Sequence, residues 1–310
     1  FNGMLDFPRD DCSIRRTANA GGAMSLSAVD DRNADQIAYW NGPGGHHWTD
    51  RQQLQDLVLG PVSAVLINRA APKAGETAVD VGCGCGATTF DLAKRVGPDG
   101  HVTGIDISEP MLNRARELAP GGASIDFILA DATVHPFRPA STDLLFSRFG
   151  VMFFATPAIS FANMRKALRP NGRLVFACWR TPRDNPWMML GLQQAYKHVP
   201  KLPEMKPEDP GPFAFASEER VHRILSEAGF ARIEMERVDL ALDIATGRGL
   251  DAALESVLTI GPTSRALEGQ PPDKIAAATQ SIRDMLKDHL KGDTVPLGGS
   301  IWIVTAANGG

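Results

Sequence analysis

Long apolar runs are missing from this sequence. None approaches the roughly 18 residues that a helix needs to cross a bilayer, so no membrane span is expected. An excess of basic charge is missing too. Against 32 lysines and arginines stand 36 aspartates and glutamates, a formal net charge of -4, which argues against a general nucleic-acid binder. Cysteine is scarce. Cys12, Cys83, Cys85 and Cys178 form no zinc pattern, and Cys83-x-Cys85 falls in a glycine turn where a small side chain is wanted. No metal is therefore expected. The opening residues carry no basic, apolar, small-residue signal. Internal repeats and low-complexity tracts are absent as well. These absences together lead to the expectation of a soluble, cytoplasmic protein that works on a small molecule. Oligomeric state leaves no trace in the sequence.

What is present is enough for one large core, with or without a small second lobe: 310 residues, 43% of them hydrophobic. The chain is organised around residues 77–87, Thr-Ala-Val-Asp-Val-Gly-Cys-Gly-Cys-Gly-Ala. Ala78, Val79 and Val81 read as a buried strand that runs into Gly82, Gly84 and Gly86, with a helix over 88–96. A strand, a glycine turn and a helix start make a nucleotide pocket. Glycine admits the ligand close to the backbone, and the helix N-terminus supplies free N–H groups. Asp80 is the odd residue. A carboxylate in a buried strand needs a partner. Asp80 can orient the glycine loop or face a cationic ligand group.

Beyond this stretch strands and helices alternate. Strands are expected at 102–106, 125–130, 143–147 and 173–179, with helices after Ser108, which takes the N-cap position, and over 157–168. Such alternation predicts a parallel sheet covered on both faces. Residues 182–212 hold seven prolines and no clear strand, the composition of a lid or binding loop. Ser217 caps a further helix, ended by Gly229. A sixth strand is expected over 233–242, helices over 249–260 and 274–290, and a last strand over 300–305 that returns antiparallel at the sheet edge. Ahead of the glycine turn, residues 1–35 read as a loose tail, and 36–74 as a helical, aromatic lid. In that lid Gly42-Pro43-Gly44-Gly45 is a loop signal and Pro61 a kink or break. Tyr39, Trp40, His46, His47 and Trp48 surround the loop, either as a packing staple or as a cover for a ligand.

The second strand ends in Asp106, twenty-four residues after Gly82, placed to accept hydrogen bonds from both ribose hydroxyls of a nucleoside. Asp131, at the tip of the third strand and followed by Ala132, can hold an adenine amino group, with Ile107 and Met111 offering apolar faces to the ring. Together these point to bound adenosine. Gly82-x-Gly84-x-x-Ala87 formally satisfies the dinucleotide fingerprint, so NAD(P) is one reading. Asp80 and the lack of lysine or arginine in the turn favour a ligand with positive groups, such as S-adenosylmethionine with its sulfonium and ammonium.

Val79-Asp80-Val81-Gly82-Cys83-Gly84-Cys85-Gly86 resembles the first motif of class I S-adenosylmethionine-dependent methyltransferases, and Gly104-Ile105-Asp106-Ile107-Ser108 their ribose motif. Ala130-Asp131-Ala132 is similar to their adenine motif. Asp143-Leu144-Leu145-Phe146-Ser147 and Leu168-Arg169-Pro170-Asn171-Gly172-Arg173 are similar to the fourth and fifth. Order and spacing match over about residues 75–179. Within the family the chain looks like the small-molecule branch that includes ubiquinone and menaquinone biosynthesis methyltransferases, though their like would lack so long an insert after the fifth strand. The resemblance implies a Rossmann-like, doubly wound, mostly parallel seven-stranded sheet with a reversed C-terminal hairpin. It implies one methyltransferase domain over 75–310, with the insert at 182–212 as a substrate cap. It also implies S-adenosylmethionine as cofactor and S-adenosylhomocysteine as product, with Gly82, Gly84, Asp106, Asp131 and Ala132 in contact with the cofactor and backbone near Ser147 and Arg148 at its methionine end; Asp80, Cys83, Ile107 and Met111 join them as cofactor candidates.

The Asn-Pro-Pro-Tyr type signature of amino-group methyltransferases is absent, since Ser147-Arg148-Phe149-Gly150 follows the fourth strand. The thiol set of arsenic methyltransferases is absent too. The expected reaction is methyl transfer to a small hydrophobic or aromatic O-, C- or N-nucleophile. An NAD(P)-dependent oxidoreductase and a non-catalytic cofactor binder are the alternatives. Methyl transfer needs alignment and exclusion of water, and a base only if the acceptor must lose a proton. His46, His47 and Arg148 are the candidates for chemistry, with His135 behind them, each histidine being equally readable as a surface or packing residue. Tyr39, Trp40, Trp48, Phe149 and Trp187 are the candidates for the substrate pocket, joined by Phe153, Phe154 and Trp179 or left with them in the core.

Overall fold

The computed structural model describes residues 31–309. Most of the expected N-terminal tail, residues 1–30, lies outside them. The last five residues of that tail are structured. A 3-10 turn over Asp31–Asn33 leads into α1 (Ala34–Asn41), α2 (Pro43–Asp50) and α3 (Gln52–Ala70). Then come β1 (Thr77–Val81), α4 (Ala87–Val96), β2 (His101–Asp106), α5 (Glu109–Leu118), β3 (Ile125–Leu129) and β4 (Thr142–Arg148). A 3-10 turn at Gly150–Phe153 precedes α6 (Pro157–Arg165) and β5 (Leu168–Trp179). The chain continues through α7 (Pro186–Ala195), α8 (Glu218–Glu227), β6 (Phe230–Asp243), α9 (Gly249–Thr259), α10 (Pro262–Leu267), α11 (Pro272–Lys287) and β7 (Pro296–Asn308).

The strands form one seven-stranded sheet in the order β3-β2-β1-β4-β5-β7-β6. β1 through β5 pair in parallel, and β7 runs antiparallel to both β5 and β6. The reversed strand therefore sits inside the sheet, and β6 takes the edge expected for it. Residue chemistry explains this. The middle of β7, Ser300 to Ile303 to Val304, is almost wholly buried, whereas β6 alternates half-buried and exposed positions and carries Glu234, Glu236, Arg237 and Asp239. A charged, half-wet strand belongs at an edge, where it discourages pairing with other chains. Leu144, Leu145 and Phe146 of β4 are fully buried, the continuous apolar run of a strand covered on both faces.

Two readings of the lid region change. α3 runs through Pro61 without a break. Pro61 lacks the N–H that would reach the carbonyl of Leu57, but Leu57 is 62% exposed, so water can serve that carbonyl. Nor is Gly42-Pro43-Gly44-Gly45 a loop. Gly42 alone breaks the helix, and Pro43 opens α2 at the first helical position, where its fixed φ suits a helix start.

Two excursions leave the sheet at the carboxyl ends of parallel strands. Residues 180–217, between β5 and α8, hold α7, and residues 244–295, between β6 and β7, hold α9, α10 and α11. α7 packs on all three, so the two excursions make one helical layer.

Candidate functional site

An open cleft lies across the carboxyl ends of β3, β2, β1 and β4. Each strand tip contributes in that order: Asp131 and Ala132, then Asp106 and Ile107, then Gly82, Cys83 and Gly84, then Arg148 and Phe149. Open α/β sheets bind ligands in this position.

The glycine loop is locked from several sides. The N–H groups of Gly82 and Cys83 donate to the Ile105 carbonyl at 2.8 and 3.3 Å. Gly82 has φ +68°, and a Cβ on it would lie 2.6 Å from the Gly150 Cα. The β1 and β4 turns thus touch backbone to backbone, which no side chain allows. Asp80, fully buried beneath the loop, accepts from the Thr88 and Thr89 hydroxyls at 2.8 and 2.7 Å. It thereby fixes the first turn of α4. Its Oδ1 is buried without a hydrogen-bond partner among the described residues. Burial pushes its carboxyl up to about 6, against the two hydroxyls and Arg148, which favour the charge. Asp106 accepts from Gly84 N–H and Ser108 N–H, both at 2.8 Å, and burial raises its carboxyl as well. Ser108 occupies the N-cap of α5, but its hydroxyl donates to the Trp40 carbonyl at 2.6 Å rather than capping.

The first helices close over this row of strand tips. Asn33 donates to Asp131 at 2.7 Å and to the Thr133 hydroxyl at 3.0 Å, and accepts from Ala155 N–H at 3.1 Å. Asn41 donates to the Ile107 carbonyl at 2.8 Å and accepts from Glu109 N–H at 2.9 Å. A Cβ on Gly45 would run into the Trp40 carbonyl and sit 2.8 Å from the Ser108 hydroxyl, so α2 packs here only because that residue is glycine. Trp40 meets Tyr39, Trp48 and Phe153 edge-on, at 5.2, 6.2 and 5.1 Å between ring centroids.

At the β4 end, Arg148 donates to the Ser63 hydroxyl at 2.6 Å and lies 3.8 Å from Asp56, both partners being on α3. Gln52 donates to Asp56. Burial raises the Asp56 carboxyl and lowers the Arg148 guanidinium from their usual ranges.

The cleft gathers most of the residues singled out from the sequence: Gly82, Cys83, Gly84, Asp106, Ile107, Met111, Asp131, Ala132, Arg148, Trp40, Trp48 and Phe149, along with Phe153 and Phe154. Others stand apart from its wall. Asp80 and Ser147 are buried behind it, the Ser147 hydroxyl donating to the Val81 carbonyl at 2.7 Å. His46 is exposed on α2, His47 is half-buried beside it, and Tyr39 is 39% exposed. His135 lies in a separate cavity with Pro136 and Arg138. Trp187 reaches the cleft only indirectly, against Trp179 (5.1 Å), which stacks on Phe149 (4.2 Å). Cys85 is on the wall, with burial raising its thiol to about 12, so it stays protonated at neutral pH. Among the described residues, no group of three or more His, Cys, Asp or Glu is arranged to hold a metal ion. Nor is any helix long and apolar enough to cross a membrane.

The sequence reading passed over Asn33, Asn41, Asp56 and Gly150. Asp56 carried a signal, being a carboxylate within the apolar stripe of α3. Asn33 and Asn41 carried none, because their partners lie far away in the chain.

Comparison with known proteins agrees on a common background. The family described as "Methyltransferase domain" matches residues 72–229. Nocamycin O-methyltransferase of Saccharothrix syringae is 38% identical over 117 residues, covering 37% of this chain and 41% of that protein. Demethylmenaquinone methyltransferase of Staphylococcus aureus (strain JH9) is 31% identical over 171 residues, covering 52% of this chain and 70% of that protein. The chain therefore spans less than half of the first relative's length. Phosphoethanolamine N-methyltransferase 2 of Haemonchus contortus, solved with S-adenosyl-L-methionine, superposes with a TM-score of 0.51 at 19% identity, covering 91% of this chain and 60% of that one. That likeness is one of fold.

Proposed function

The chain belongs to the methyltransferase-domain family, and from that premise we propose that it transfers the methyl group of S-adenosylmethionine to a small, hydrophobic or aromatic O-, C- or N-nucleophile. The observation that carries this reading is the row of strand tips, two carboxylates on one side of a glycine cradle that holds neither lysine nor arginine. The lining fits the cofactor. Asp131 and Ala132 suit the adenine, Ile107 and Met111 its faces, and the free lone pairs of Asp106 the ribose hydroxyls. The backbone of residues 82–85 and the tip of β4 suit the amino-acid end. When bound, S-adenosylmethionine supplies a methyl group on an electrophilic sulfonium.

The chain's own part is alignment and dryness. Trp40, Trp48, Phe149, Phe153 and Phe154 give the cleft an aromatic side, which favours a flat apolar acceptor and keeps water from the reacting line. Residues 36–74 act as the lid. The helical layer of α7 and α9–α11 supplies the cap, a larger one than the expected insert at 182–212. The 75–310 domain carries the donor. The nocamycin and demethylmenaquinone methyltransferases, with acceptors of this broad kind in their names, lend support. The work is that of a cytoplasmic enzyme.

Calorimetry tests the donor half. S-adenosylhomocysteine binds in the micromolar range and NAD does not. Asp106→Ala, losing charge-assisted hydrogen bonds to the ribose, weakens S-adenosylhomocysteine by about 100-fold with an unchanged far-UV spectrum. NAD binding in its place, or an unaltered affinity in Asp106→Ala, overturns the reading. Turnover of labelled methyl donor against a metabolite panel separates an enzyme from a binder.

A further inference from the structure

The two ends of the cleft differ in charge. At the β3 and β2 tips the wall carries the carboxylates of Asp131 and Asp106. At β4 an acid and a base stand together: Arg148 on the strand tip and Asp56 on the second turn of α3. Both are largely buried, with side chains 10% and 26% exposed. Their closest approach is 3.8 Å, longer than a hydrogen bond, so neither group is fully engaged by the other. Instead each is held by a neutral neighbour. Ser63 accepts from Arg148 at 2.6 Å, and Gln52 donates to Asp56. A buried ion pair at such a separation repays little of its desolvation. The neutral partners hold the two groups on the cleft wall, with Asp80 a further buried acid that acts on Arg148 from beneath the loop.

An amino-acid zwitterion is the ligand chemistry that answers one cation and one anion set side by side. We infer that Arg148 and Asp56 form a zwitterion clamp, the guanidinium taking a ligand's α-carboxylate and the Asp56 carboxylate its α-ammonium. The inference rests on the cofactor reading above and deepens it, since adenine and ribose at the β3 and β2 tips leave the amino-acid end of the nucleoside at β4. It assigns Asp56, an α3 residue outside every strand-tip motif, to donor recognition. The Ser63 and Gln52 contacts become positioning contacts for the clamp.

The test compares three nucleosides by calorimetry on the full chain. S-adenosylhomocysteine carries both charges, its decarboxylated analogue only the ammonium, and 5′-methylthioadenosine neither. Asp56→Asn and Arg148→Met each weaken S-adenosylhomocysteine by about tenfold or more, the scale of one charge-assisted hydrogen bond, and leave methylthioadenosine within about twofold of the wild type. The decarboxylated analogue loses affinity in Asp56→Asn and not in Arg148→Met. Ser63→Ala, which keeps both charges, loses several-fold for S-adenosylhomocysteine alone and serves if Arg148→Met does not fold. If the variants weaken all three ligands equally, or none, the pair is a structural feature or faces the acceptor, and the clamp is overturned. Wild-type protein that binds S-adenosylhomocysteine and methylthioadenosine equally overturns the clamp alone. Wild-type protein that binds no nucleoside overturns the cofactor reading and the clamp with it.

Discussion

Asp80 shows what one buried carboxylate does to the balance of this protein. Its carboxyl moves from an ordinary 3.8 to about 6 because burial outweighs Thr88, Thr89 and Arg148. The folded chain then holds this proton to higher pH than the unfolded chain does. Stability from this residue is intact below about pH 4, falls as pH rises through 4 to 6, and stays lost above that window, by roughly 3 kcal/mol at most. Asp80→Asn keeps an acceptor for the two threonines and removes the ionisation. Urea midpoints between pH 4 and 7 are expected to fall less steeply in Asp80→Asn than in the wild type; parallel curves would count against the assignment. The same residue marks how far single residues can be read from sequence. Asp106 and Asp131 were legible because a strand tip defines their position locally. Asp80 was legible as costly, but its partners were visible only once α4 folded back over it. Asn33 was silent because it acts on Asp131, about a hundred residues away, and Asp56 showed only as a carboxylate in an apolar stripe, its partner Arg148 being about as distant.

Helices and their joints fared differently. The alternation of strand and helix was plain in the spacing of apolar residues, and most boundaries agree within a few positions. The failures occur where glycine and proline serve packing instead of turning. Gly44 and Gly45 read as loop, yet α2 needs them to sit on Tyr39 and Trp40. With Pro43 opening α2, His46 faces solvent and neither histidine reaches the cleft wall. Ser108, sequence-perfect as a cap, gives its hydroxyl to Trp40 and so latches α1 to the β2–α5 turn. Gly45→Ala drives a methyl group into the Trp40 carbonyl, and overpacking of this kind costs about 1–3 kcal/mol. Hydrogen exchange is expected to speed up across 34–50 in that variant, with β1, β4 and β5 protected as before. Uniform loss of protection over the whole sheet would instead make α1 and α2 part of the folding core.

At the scale of the molecule, the sheet order follows from family-like spacing, while the second excursion, over 244–295, was readable as helices but not as one layer with α7. Nothing local says that α9 and α11 pack on α7, since that contact joins segments separated by α8 and β6. The first helices and the helical layer meet at Arg51 and Glu255, paired at 2.7 Å with side chains 37% and 49% exposed. A pair so wet is worth less than about 1 kcal/mol. Arg51→Ala is expected to leave the urea midpoint within that range, and a larger fall would place a more deeply buried junction there.

Both excursions depart from carboxyl ends of strands and rejoin the same sheet. The donor crevice is written in the first half of the gene and the helical layer in two separable stretches of the second. If that layer selects the acceptor, a lineage can redraft those stretches, changing what is methylated, without disturbing the ancestral grip on the nucleoside. Divergence among cousins of this chain should then be lopsided, slow around residues 77–150 and fast within 180–217 and 244–295.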